Sequence, residues 1–183
     1  MTTLRLAAFA VLLCAAAGAA APAASAAPAR EELDASFACA SPAGWSAARR
    51  PDGVIFSAAG DPSGVNPVIT VRYVGPDNKL YATVDAYMSR ITAKPDVAIP
   101  GWKTGAVSSA KVAGRAAKRV VNEESDFVPP HALTTQEVPV REEHVAVPAS
   151  RGFYVLVFRA PRAAYAAQHP IFARVLASFK PKL

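Results

Sequence analysis

Phe153-Tyr154-Val155-Leu156-Val157-Phe158 is apolar at all six positions, and its reading decides the fold. A strand turns successive side chains to opposite faces, so an unbroken apolar run predicts cover on both sides. Just upstream, Glu142 to Pro148 reads as a partner strand, and Ala149-Ser150-Arg151-Gly152 as the tight connection between the two. The run therefore predicts the centre of an antiparallel sheet. Downstream, Arg162 to Gln168 reads as a short helix, which His169-Pro170 interrupts. Pro170 suits the first turn of a new helix, where Phe172, Val175, Leu176 and Phe179 repeat at helical spacing. These tail segments are candidate covers for the sheet.

Upstream the pattern is mostly of strands. Phe37 to Ala40 is a short one, followed by a turn, Ser41 to Trp45, and a second turn, Arg49 to Gly53. Val54 to Ala58 and Val68 to Val74 come next, the latter alternating Ile69, Val71 and Tyr73 against Val68, Thr70 and Arg72. Leu80, Val84, Tyr87, Met88 and Ile91 make one apolar stripe on a helix from Leu80 to Thr92, with Asp77 as its cap and Lys94-Pro95 as its stop. In such a helix Tyr81 and Tyr87 lie on different sides. Val97 to Gly105 reads as loop, Ala106 to Ala113 and Arg115 to Glu124 as strands around Gly114, and Asp126 to Thr135 as loop. Gln136 to Pro148 is a strand whose Pro139 requires an edge or a position near its start. The class is α+β, an antiparallel β-sheet flanked by helices.

The first residues are not fold. One cation near Met1, the apolar run Leu6 to Leu13, a string of alanines and Ala24-Ser25-Ala26 have the layout of a secretory signal peptide over 1–26. Bulky Leu13 directly before Cys14 fits a lipoprotein signal poorly, which disfavours acylation there. Residues 27–36 read as a flexible lead-in and 37–183 as a single domain. Cleavage leaves about 157 residues, enough for a real core, and no second long apolar run, so the sequence predicts an exported, periplasmic or secreted chain with no transmembrane segment. Cys39 is then the only cysteine and shares a face with Phe37, as a small buried apolar residue does. The mature chain keeps 19 basic and 14 acidic side chains, a modest excess that favours acidic partners or anionic surfaces. No aromatic-basic motif points to nucleic acid.

Several of these pieces, in their order, resemble the PsbP-like superfamily. They are Pro42-x-Gly44-Trp45, a strand pair before a single amphipathic helix, the hairpin Val112-Ala113-Gly114-Arg115-Ala116, the strand Gly152 to Phe158, and Phe172-x-x-Val175-Leu176-x-Ser178-Phe179. The resemblance covers nearly all of 37–179. It implies an α/β/α sandwich around an antiparallel sheet, a binding or accessory role and no shared catalytic residues.

The residues themselves carry little chemistry. No G-x-S-x-G, S-x-x-K or H-E-x-x-H occurs. Gly60-Asp61-Pro62-Ser63-Gly64 reads as a turn. His131, His144 and His169 have no second histidine at ligand spacing. Glu142 and His144 share a strand face, two ligands at most, and read as a solvated face. No catalytic, metal or cofactor residue is predicted. Lys111, Arg115, Lys118 and Arg119 surround the Gly114 turn and could dock on an acidic partner or on lipid headgroups; Trp102, in a Pro-Gly loop, is expected to be exposed and to join them, whereas Trp45 is expected to pack. The expectation is a non-catalytic exported domain that binds a protein of the cell envelope. The alternative is a small-molecule or lipid carrier with a pocket between helix and sheet.

Overall fold

The molecule is built outward from the apolar run. The structure is a computed structural model, and it describes residues 30–33 and 36–183, with side chains from 36 onward. The chain begins with β1 (Arg30–Leu33), β2 (Phe37–Ala40), β3 (Ser46–Arg50), β4 (Gly53–Ser57) and β5 (Val68–Val74). Helix α1 (Val84–Thr92) leads to β6 (Lys103–Thr104), β7 (Ser108–Val112), β8 (Arg115–Val128) and β9 (Gln136–Pro148). Then come β10 (Phe153–Pro161), α2 (Arg162–Ser178) and β11 (Lys180–Pro181). Among the described residues the main sheet is eight-stranded and antiparallel, in the order β3-β4-β5-β10-β9-β8-β6, with β7 also on β8. A three-stranded sheet, β1-β2-β11, stands beside it.

Strand β10 is central, as an apolar run with no polar face requires. Leu156 sits between Val71 of β5 and Val145 of β9. Tyr154, Leu156 and Phe158 turn to one face and join Phe172, Val175 and Phe179 in a core beneath α2. Phe153 and Val155 turn to the other and meet Tyr87 and Met88 of α1. One helix thus covers each face, and the fold is α+β as expected. The small sheet closes the α2 side. The Tyr154 hydroxyl donates to Ser36 O at 2.7 Å and accepts from Leu183 N at 2.9 Å, and the Phe37 ring packs against those of Tyr154 and Phe179. Cys39 is buried in this core and Trp45 packs on its rim.

Several expectations are corrected. Helix α1 starts at Val84, not Leu80, and its cap is Thr83, whose Oγ1 accepts from Ala86 N at 3.1 Å. Asp77 does not cap it; instead Asn78 Oδ1 accepts from Leu80 N and Tyr81 N and holds a turn ahead of the helix. Leu80 is left exposed. Tyr81, outside the helix, folds back edge-on to Tyr87, with ring centroids 5.1 Å apart, so the two share a side. The tail is one helix, because Pro170 lies on its exposed face. There the Ala166 carbonyl that loses its donor faces water. Ser46–Arg50 is a strand that hydrophobic alternation cannot reveal, since every residue of this edge strand is exposed. The turn expected at Arg49 is narrower, Arg50 to Gly53. Strand β8 runs on to Val128, past the loop start expected at Asp126, and β6 lies within the expected loop Val97 to Gly105. Arg30–Leu33, inside the expected lead-in, pairs with β2. Pro139 of β9 lies beyond Val140, where pairing to β10 ends, so its missing N–H removes no ladder bond on that side. The expected signal segment and Cys14 lie outside the described residues.

Candidate functional site

The middle of β9 reads Arg141-Glu142-Glu143-His144, a charged stretch where a central strand is otherwise apolar. Alternation sends its members to opposite faces, and each face builds a polar cluster around them.

On the α2 face the centre is Glu143, only 2% exposed. Arg119 of β8 donates to it through two nitrogens, Nε to Oε1 at 2.6 Å and Nη2 to Oε2 at 3.1 Å. From α2, the Tyr165 hydroxyl donates to Oε2 at 2.7 Å, and His169 Nε2 lies 3.0 Å from the same oxygen. Burial pushes the Glu143 pKa up, but the bonds from Arg119 and Tyr165 and the nearby charges outweigh it and hold the carboxyl below its usual range. An ionised carboxylate only accepts, so the His169 Nε2 carries a proton. Burial, then the bond to Glu143, raises the Tyr165 pKa and keeps its hydroxyl protonated. Arg141 stacks over the Tyr165 ring at 5.1 Å and donates through Nε to Glu123 at 3.1 Å.

On the α1 face the Tyr87 hydroxyl meets His144 Nδ1 at 2.7 Å, and His144 Nε2 lies 3.6 Å from Glu142 Oε1. Burial raises the Glu142 pKa, yet His144 and Arg159 outweigh it and lower it overall. Burial drives the Tyr87 pKa well upward, so its phenol stays neutral. Farther along, Arg159 clasps Asp126 with both ends of its fork, at 2.7 and 2.6 Å, and reaches Glu124 at 3.2 Å. Asn122 Nδ2 donates to Ile91 O at 2.9 Å, which ties the end of α1 to β8.

The expected solvated face of Glu142 and His144 is therefore corrected. His144 is 7% exposed, because α1 lies over it. Their shared face is as expected. Among the described residues no group of three or more His, Cys, Asp or Glu is placed to hold a metal, so the pair has no third ligand. The buried clusters escaped the sequence reading because charge suggested water. The available signal was the position of that charge, beside the apolar run of β10.

The basic set divides. Strand pairing puts Lys111, opposite Ala116, on the α1 side together with Lys118. Arg115 and Arg119 point to the α2 side. Lys118 pairs with Asp85, Arg119 is drawn into the Glu143 cluster, and Arg115 Nη1 donates to Pro148 O at 3.0 Å and Leu183 O at 2.8 Å. Lys111 is exposed. Trp102 is half-buried rather than exposed and precedes Lys103, which pairs with Glu123. At about 3.3 Å per residue it stands roughly 30 Å along β8 from the Gly114 turn, so it does not join the cations. The clefts lie at the sheet's margins. One of about 450 Å³ is lined by Ser63, Val138, Pro139, Pro161, Arg162 and Ala163 among others, and one of about 290 Å³ lies between Asp85, Ser109, Ala116 and Lys118.

No family model matches the chain, and no curated protein matches it. Solved structures do. PsbP (CyanoP) from Synechocystis sp. PCC 6803 superposes with a TM-score of 0.52 at 11% identity, over 90% of this chain and 98% of that one. The Ran-binding protein Mog1p of Saccharomyces cerevisiae gives 0.51 at 12% identity, over 85% and 95%. LpqN of Mycobacterium tuberculosis, involved in cell envelope biogenesis, gives 0.48 at 14% identity, over 84% of each chain. Identities this low speak to architecture alone. The sheet order, the helix on each face and the cyanobacterial and yeast superpositions together give this chain the PsbP-like fold.

Proposed function

We propose that the chain is a non-catalytic binding domain, exported through its N-terminal segment, that engages a protein partner in the cell envelope. The observation that carries this reading is where the polar groups go. Among the described residues no buried side-chain nitrogen or oxygen lacks a hydrogen-bond partner. The interior acids, histidines and tyrosines hold one another, whereas a reaction site keeps such a group aimed at its substrate. Among the described residues the large apolar side chains left in water lie on connections and strand ends: Leu80, Val97, Ile99, Val107, Phe127 and the fully exposed Leu133. Singly such side chains are ordinary, and a contact surface is marked where they gather into one patch. Lys111, exposed beside the Gly114 turn, adds positive charge for an acidic partner. Yeast Mog1p, named for binding Ran, supports this as a scaffold that serves recognition, by analogy of fold. Among the described residues no helix is long and apolar enough to cross a membrane. Affinity capture from cell-envelope extract tests the proposal. The same protein should return in independent captures, and the absence of any reproducible partner refutes it.

The second reading is a carrier. Its support is the cleft of about 450 Å³, with apolar Val138, Pro139, Pro161 and Ala163 in its lining. This cleft lies where the start of α2 meets β9, and the cleft of about 290 Å³ lies between the start of α1 and strands β7 and β8. Native mass spectrometry of gently purified protein should then show a co-purifying mass, and the bare chain alone excludes the reading.

A further inference from the structure

We propose that the recess bounded by β6, β8 and β9, beside the start of α2, seats an acidic side chain of a protein partner. The inference rests on the binding role above and names the chemistry of the partner. Lys103 of β6, Arg141 of β9 and Arg162 of α2 each bring a cation to one carboxylate, Glu123 of β8. Arg141 Nε donates to it at 3.1 Å, Arg162 Nη1 stands 3.9 Å away, and Lys103 is its partner across the ladder. The recess, lined by Lys103, Thr104, Gly105, Val121, Glu123 and Arg141, holds about 270 Å³. That is room for a carboxylate side chain.

Three cations on one anion leave positive charge unspent. Of the other acids on this face of β9, Glu143 is already taken by Arg119, Tyr165 and His169, and Glu137 stands four residues from Arg141, at the neighbouring cleft. Arg162 is 60% exposed, and 3.9 Å is too long for a good hydrogen bond to Glu123, so its fork is presented outward. Lys103 is exposed as well. Arg141 is fixed by its stack on Tyr165, which pre-organises the site. The bond from Arg141, followed by the charges of Arg141, Arg162 and Lys103, lowers the Glu123 pKa and agrees with this convergence. A guanidinium fork matches a planar carboxylate. The opposite face of the same hairpin has the reverse balance, with Glu124, Asp126 and Glu142 around Arg159. An acidic segment is therefore attracted to one face and repelled from the other. A recess between strands suits a side chain better than it suits a flat membrane.

The test titrates the purified chain with fluorescein-labelled hexaglutamate, read by anisotropy at low salt, with hexaglutamine as control. Parallel titrations use inorganic phosphate and phosphatidylglycerol/phosphatidylcholine vesicles. Hexaglutamate should bind, and more weakly as salt rises. K103E/R162E should weaken it by roughly tenfold or more, equivalent to about 1.4 kcal/mol. K79E/K94E, an equal charge change on exposed residues elsewhere, should leave it within about twofold. Thermal unfolding shows that each variant folds. The proposal is overturned if hexaglutamate does not bind, or if K103E/R162E and K79E/K94E weaken it equally. It is overturned too if phosphate or vesicles bind in its place and K103E/R162E abolishes that binding. Envelope capture separates the two readings. A partner that returns equally on K103E/R162E removes the recess and leaves the binding role. Hexaglutamate binding through the recess without any captured partner keeps the site and removes the envelope partner.

Discussion

Replacing Glu143 with Gln removes one negative charge from the interior of the α2 face and leaves the shape almost unchanged. The carboxylate accepts two bonds from Arg119, at 2.6 and 3.1 Å, and one from Tyr165, at 2.7 Å, with His169 at 3.0 Å. A glutamine has one acceptor oxygen, and its NH₂ confronts at least one of these donors. Removing one member of a buried ion pair costs about 3–5 kcal/mol. The Arg119 side chain is 42% exposed and can rehydrate, which discounts the cost to about 2–3 kcal/mol. For a domain of this size that lowers Tm by roughly 4–12 °C. The sign with pH follows from the depressed folded-state pKa of Glu143. A depressed carboxyl stabilises above its unfolded pKa, about 4.3, and the benefit is lost as pH falls through the folded value. Urea unfolding of wild type and E143Q should therefore show the full gap at pH 7 and a narrowing gap once pH drops below about 4.3. A gap under about 0.5 kcal/mol at pH 7, or one that does not narrow in acid, refutes the reasoning.

Other substitutions probe other levels of the structure. Leu156→Asp places a charge between Val71 and Val145 at a fully buried position. It should cost more than about 4 kcal/mol, and a cooperative unfolding transition near that of wild type contradicts the central role of β10. Thr83→Ala removes the cap bond to Ala86 N and should cost about 1 kcal/mol by chemical denaturation, whereas Asp77→Ala should cost less than about 0.5. Pro170→Ala lets residue 170 donate to Ala166 within a continuous helix. It should stabilise by about 1 kcal/mol, and a lower melting temperature shows instead that the proline is needed there.

Much of the architecture was legible along the chain because it depends on local pattern. Val68–Val74 alternates cleanly and forms the strand expected of it. Gln136–Pro148 does so despite Pro139, which falls where β10 no longer needs its N–H. Failures occur where pattern and environment part company. Ser46–Arg50 carries no hydrophobic alternation, since an edge strand with both faces in water has none to show. The Leu80 stripe fits a helix, but Asn78 offers its side chain to the backbone first and delays the start to Val84. His169-Pro170 reads as a break in one dimension. In space His169 faces Glu143 and Pro170 faces water, and one helix serves both.

The candidate site was legible only in part. Glu142 and His144 were expected on one face and lie there, but the cover of α1 comes from residues more than fifty positions away. The cations around Gly114 are neighbours in sequence, yet strand alternation sends Lys111 and Lys118 one way and Arg115 and Arg119 the other. Lys103, Arg141 and Arg162 are far apart along the chain and meet at Glu123 only through strand pairing and the β10–α2 junction.

By itself, then, the sequence determined the central strand, its neighbour and the class of fold. An apolar run has one stable setting, between two covers, and its alternation is a local property. Tertiary structure alone decided which charges are buried, which partners they take and where positive charge is left over. Those outcomes depend on distances between residues that the chain keeps apart, and Coulomb interaction and desolvation act through space.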